Sequence, residues 1–182
     1  MAISGANTLR GPFANEEPIT TENVGTVATG SSVVEYGDGV FHQSVITVDT
    51  NLPAVTGTLA VGKLVYTFPD GACNVKSTYM SIALTAADGN INADTPDVGV
   101  GTTIASGAVN VLGGTAAFEN MLSGQTAADC NGTATVKHLA TSLVIATGDN
   151  HTVYLNVADA WAGAEATCPI SGTIILEWVF VV

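Results

Sequence analysis

From residue 31 to the end, the chain is a series of short Val-, Thr- and Ile-rich runs separated by glycine-bearing turns. That pattern constrains the fold more than any other feature. β-branched side chains are stiff at χ1 and pack well on a pleated surface. The strong helix formers Leu, Glu, Lys and Arg are scarce. Six to eight such runs recur at intervals of roughly 8–15 residues with no helical segments between them. A parallel α/β sheet needs crossover helices, so the expected fold is all-β. It is an antiparallel β-sandwich, jelly-roll-like, with an extended N-terminal arm.

The arm is residues 1–30, and residues 31–182 form the β-sandwich domain. The arm is polar, holds Pro12 and Pro18, and clusters Glu16, Glu17 and Glu22. Such a stretch does not build a core alone and is expected to lie against a partner. Ser31–Tyr36 and Val40–Asp49 read as strands closed into a hairpin by Gly37-Asp38-Gly39. Lys63–Phe68 is stopped by Pro69-Asp70-Gly71. Cys73–Thr85 is a long strand with imperfect alternation. Val98–Ile104 and Ala108–Leu112 are short strands, and Phe118–Leu122 is the one helical turn expected. Leu139–Ala146 and His151–Val157 read as a second hairpin around Gly148-Asp149-Asn150. Thr173–Val182 is apolar on both faces apart from Thr173 and Glu177, which places it centrally in a sheet or under a partner subunit.

Composition narrows the function. The net charge is -12, from 16 acidic and 4 basic residues. Four cations release few counterions from a phosphate backbone, so nucleic acid is not an expected partner. With 47% hydrophobic and only 11% charged residues, the chain is rich enough to fold over 182 residues. Met1–Arg10 has neither the cationic start nor the apolar run of a signal peptide. No segment reaches the ~18 apolar residues of a membrane span. A protein made and kept inside a cell, or leaving it by lysis or assembly rather than by secretion, is therefore expected. The glycosylation patterns at Asn131 and Asn150 then read as chance.

Reactive chemistry is sparse. Cys73, Cys130 and Cys168 are odd in number with no C-x-x-C pair, and read as small buried apolar side chains, with one disulfide open. No G-x-S-x-G occurs, and His42, His138 and His151 have no local nucleophile or metal-ligand spacing. The expectation is a protein that is not an enzyme and carries no cofactor. One oxygen-rich stretch, Asp88, Asn90, Asn92, Asp94 and Asp97, has ligand types suited to calcium. It departs from the EF-hand loop at Ala93 and Gly99, and Asx-rich loops between strands are commonly turns. It is the only metal candidate.

Four ordered motifs add to this reading. They are Tyr36-Gly-Asp-Gly-Val40-Phe-His-Gln-Ser-Val45-Ile-Thr-Val48, Leu64-Val-Tyr-Thr-Phe-Pro-Asp-Gly71, Asp97-Val-Gly-Val-Gly101-Thr, and His151-Thr-Val-Tyr-Leu-Asn-Val-Ala-Asp159 followed by Ser171-Gly-Thr-Ile-Ile-Leu-Glu-Trp178. In that order, over about residues 35–180, the chain resembles the capsid decoration (cement) proteins of tailed bacteriophages. The resemblance implies a non-enzymatic virion protein on the outer capsid surface. Its partners would be the major capsid protein and itself, as a homodimer or homotrimer, with no nucleic acid or membrane. Arg10, Pro12, Phe13, Glu16 and Glu17 would contact the capsid from the arm. The alternatives are a carbohydrate- or cell-surface-binding β-sandwich module and a tail or head-fibre component.

Overall fold

The computed structural model describes residues 24–37, 40–113, 117–123, 126–127 and 129–181. Nine strands form where the Val/Thr runs lie: β1 (Thr26–Val27), β2 (Ser31–Gly37), β3 (Phe41–Leu52), β4 (Val61–Thr67), β5 (Cys73–Thr85), β6 (Asp97–Gly101), β7 (Asn131–Ile145), β8 (Thr152–Ala158) and β9 (Cys168–Phe180). They make two antiparallel sheets. One has the order β1-β4-β8-β6, the other β2-β3-β9-β5-β7. No helix is present among the described residues. The inner faces of both sheets feed one apolar cluster, with Val65, Val98 and Leu155 from the first and Ile46, Met80 and Trp178 from the second. β9 is the middle strand of the five, with one face buried in the core and the other half-buried on the outer face.

Four expectations need correction. Residues 26–27 pair with β4 (Thr26↔Thr67), so the end of the expected arm belongs to a sheet. Ala108–Leu112 is not a strand; it makes an isolated bridge, Leu59↔Ala108. Phe118–Leu122 is not helical. Its Leu122 bridges to Val100, because Phe118 and Leu122 are drawn down as apolar plugs under a loop. Finally, β7 and β8 are not a hairpin. β7 pairs with β5 and β8 with β4 and β6. The turn itself forms as expected, with Asp149 accepting from the Ala146 amide at 2.9 Å, but it carries the chain from one sheet to the other. Turn chemistry reverses the chain locally and does not choose the next strand's partner.

The imperfect alternation of β5 has a local cause. Its register against β9 slips between Val75↔Trp178 and Ser77↔Glu177. This bulge at Lys76 flips the inward parity. Cys73 and Val75 point in before it, and Thr78, Met80, Ile82 and Leu84 after it. Both halves of the strand thereby bury their apolar residues.

The two outer faces differ. Over the four-stranded sheet lies the chain between β6 and β7. Asn156 of β8 holds it there, flanked across the sheet by Gly62 and Gly99. The buried Asn156 side chain accepts from the Ala105 amide (2.8 Å) and donates to the carbonyls of Thr103 (2.9 Å) and Phe118 (2.7 Å). A small second cluster, including Ala60, Leu112 and Phe118, fills the space beneath. The five-stranded sheet keeps an outer face of half-buried and exposed side chains.

Candidate functional site

A cluster of buried polar groups meets where β1 and β2 leave for different sheets. The β2–β3 register places Glu35 directly opposite Ser44, and the β3–β9 register places His42 opposite Trp178. All four point inward. Tyr66 of β4 reaches them from the other sheet. A relay results. Trp178 Nε1 donates to Ser44 Oγ (2.9 Å), Ser44 donates to Tyr66 Oη (3.2 Å), and Tyr66 donates to Glu35 Oε1. The Gly25 amide donates to the same carboxylate oxygen at 3.0 Å. Glu35, His42, Ser44 and Tyr66 are all nearly or wholly removed from solvent.

His42 stacks on Trp178 with ring centres 4.1 Å apart and takes the edge of Phe180. Its Nδ1 lies 3.7 Å from Glu35 Oε2. That is an ion-pair distance, too long for a hydrogen bond. Burial by itself would raise the Glu35 carboxyl. The approach of His42, the Tyr66 hydroxyl, the Gly25 amide and the His42 charge outweigh it, holding the carboxyl below its ordinary range. The Tyr66 phenol is pushed up, first by burial and then by the Glu35 charge.

This constellation contains Ser, His and Glu, yet it does not make a nucleophile. Ser44 donates to Tyr66, and neither ring nitrogen of His42 makes a hydrogen bond among the described residues. A serine needs a bonded base to attack. The hub instead ties five segments together: the entry at Gly25 and strands β2, β3, β4 and β9. Gly25 is required there, because a Cβ would run into the Tyr66 ring. Sequence reasoning missed the hub. The legible signal was parity: with the 37–39 turn fixed, Glu35, His42 and Ser44 fall on the same face as Val33, Ile46 and Val48.

The oxygen-rich stretch is organised by a residue the sequence did not single out, Glu165. Its buried carboxylate accepts from the amides of Asp88 (2.9 Å) and Asn90 (2.8 Å). Other oxygens and amides of the stretch bind main chain from separate segments. Asn90 donates to the Ala164 carbonyl, Asp94 accepts from Ala162 N, and Asp97, already in β6, accepts from Leu112 N. Asn92 is exposed, and its carbonyl accepts from Cys130 N. Among the described residues, no group of three or more His, Cys, Asp or Glu side chains has the arrangement to hold a metal ion. The geometry is that of a loop held by backbone capping.

The remaining sequence candidates are scattered. Cys73, Cys130 and Cys168 are free and buried. Burial pushes the Cys73 and Cys168 thiols up to about 11 and Cys130 up to about 12, the last helped by the nearby Cys168. A thiol so raised is a poor nucleophile. His138 lies on the outer face opposite Tyr79, and His151 precedes β8, so the histidines do not converge. Arg10, Pro12, Phe13, Glu16 and Glu17 lie outside the described residues.

The last feature is the open face of the five-stranded sheet. One cross-strand row, Val34–Val45–Ile175–Tyr79–His138, crosses all five strands in register. On one side of it run Gln43, Glu177 and Ser77; on the other run Thr47, Thr173 and Ser81. The middle row is apolar over four strands; the flanking rows are polar over the three central strands and end on Tyr36 and Ala140 on one side and on Ser32 and Val136 on the other. Ser77 donates to Glu177 at 2.6 Å. No family model, curated protein or solved structure matches the chain.

Proposed function

We propose that the protein is a non-enzymatic virion structural subunit. It binds the outer surface of a tailed-phage capsid and stabilises contacts between major capsid subunits. The observation that carries this reading is the open sheet face, five strands wide and dominated by Ser, Thr, Val and Ile, with Gln43, Tyr79, His138 and Glu177 among them. Few long side chains lose rotamer freedom when such a face is covered, so packing into an array costs little entropy. The reading also draws on the resemblance to decoration proteins and on the hub, whose Ser, His and Glu are locked away from any substrate. The jelly-roll form of the two-sheet fold and a capsid-gripping N-terminal arm belong to the same proposal.

The carbohydrate-binding alternative needs exposed aromatic platforms. Both tryptophans are buried, and of the described aromatic side chains Phe41 alone is exposed. That favours the structural reading. The deciding measurement is co-sedimentation of the purified protein with capsids stripped of decoration. Saturable binding at copy numbers comparable with the major capsid protein is expected. No binding to such capsids, together with a hit on a glycan array, would overturn the proposal.

A further inference from the structure

The chemistry of the open face is arranged symmetrically about its central row. We propose that this face packs against the same face of a second copy, about a two-fold axis running along the row Val34–Val45–Ile175–Tyr79. The inference rests on the structural-subunit reading and names its first partner, the protein itself.

Three observations point to a copy as the occupant. The first is pattern. A face-to-face pair with its axis along the row brings each row residue against its own counterpart, so apolar meets apolar across four strands. The same operation lays Glu177 over Thr173 of the other copy and Ser77 over Ser81, joining carboxylate and hydroxyls to hydroxyls. An axis along the strands would instead set Glu177 on Glu177. An isologous interface requires this kind of self-complementarity. The second is charge. Copies of a chain with net charge -12 repel, yet the acids within the footprint, Glu177 and Asp49, do not face themselves under this operation: Glu177 lies over Thr173 and Asp49 over Phe41, and Ser77 already donates to Glu177. The third is area. Five strands at ~4.8 Å spacing and about nine residues of strand at ~3.4 Å give a footprint of roughly 700 Å² per copy. Two copies then bury about 1,400 Å², within the range of stable specific interfaces. The opposite outer face offers no such surface, because the described residues of 102–113 and 117–123 cover it.

The test is sedimentation of the full chain over a concentration series, with two variants. The wild type should be a dimer, and Val45→Glu should weaken association at least 100-fold, since it sets a charge against its own copy. Val45→Cys should form an intersubunit disulfide under mild oxidant, because Val45 faces Val45, whereas Thr47→Cys should not, because Thr47 faces Gln43. If Val45→Glu loses its near-UV signal, the cysteine pair still decides. A monomeric wild type, or a dimer in which Thr47→Cys crosslinks and Val45→Cys does not, overturns the inference. A dimer of native strength in Val45→Glu does the same and moves the contact elsewhere, such as the β7 edge. The function is tested separately: a monomer that still binds stripped capsids refutes only the dimer, and a dimer that does not bind them refutes only the capsid reading.

Discussion

At the scale of single residues, Trp178 and Glu35 organise the interior. Trp178 is 1% exposed, stacks on His42 and donates to Ser44. Trp178→Ala should therefore cost roughly 3–5 kcal/mol in urea unfolding; a loss under about 1 kcal/mol would mean that the indole is not a core element. The titratable groups predict stability falling at both ends of the pH scale. Glu35 is depressed despite the opposing effect of burial, so its stabilisation is present above the ordinary carboxyl value of 4.5 and is lost as pH falls through its lower folded value. The thiols are raised, so their contribution is full below the free value of 9.0 and is lost as pH climbs through about 11 for Cys73 and Cys168 and about 12 for Cys130. Urea midpoints taken across pH should form a plateau with an acid and an alkaline fall. An unchanged midpoint from pH 9 to 12 would contradict the burial of the thiols.

At the scale of elements, the strands were legible and their partners were not. Cys73–Thr85 reads directly from the sequence because its Val, Met, Ile and Leu positions keep a period of two on each side of one slip. The slip was visible only as noise, since a bulge is defined against a neighbouring strand. Asn131–His138 was missed at the start of β7. Its Gly, Thr and Ala residues carry little strand signal, and the edge is supplied by β5. The irregular segments depend on two buried polar side chains. Removing Asn156 would leave the Ala105 amide and the Thr103 and Phe118 carbonyls without their partner. Asn156→Ala should cost about 3 kcal/mol and speed hydrogen exchange at the Ala105 amide, while the β3 and β9 core amides keep their protection. Equal acceleration everywhere would show that the loop and the sheets unfold as one unit. Glu165→Ala should likewise free the amides of Asp88 and Asn90, read as faster exchange at both; unchanged exchange would contradict Glu165 as the anchor of that loop.

At the scale of the whole molecule, the two sheets enclose one core and expose unlike outer faces, one covered by its own chain and one open. Residues 1–22 are polar, hold Pro12 and Pro18 and carry too little apolar surface to build core, so under the proposed capsid role deleting them should leave near-UV signal and urea stability unchanged while weakening capsid attachment. Loss of the near-UV signal would make that segment part of the fold. The sequence alone determined the all-β class, most of the strands and the turns, because those follow from local propensity, period-two burial and the φ demands of glycine turns. Only the tertiary structure decided that β7 and β8 lie in different sheets, that Glu35, His42, Ser44, Tyr66 and Trp178 meet, and that Glu165 holds the Asx-rich loop. These are contacts between residues up to 134 positions apart. Nothing in a local window encodes them, because they arise when two sheets close on one core and each buried polar group must find a partner across it.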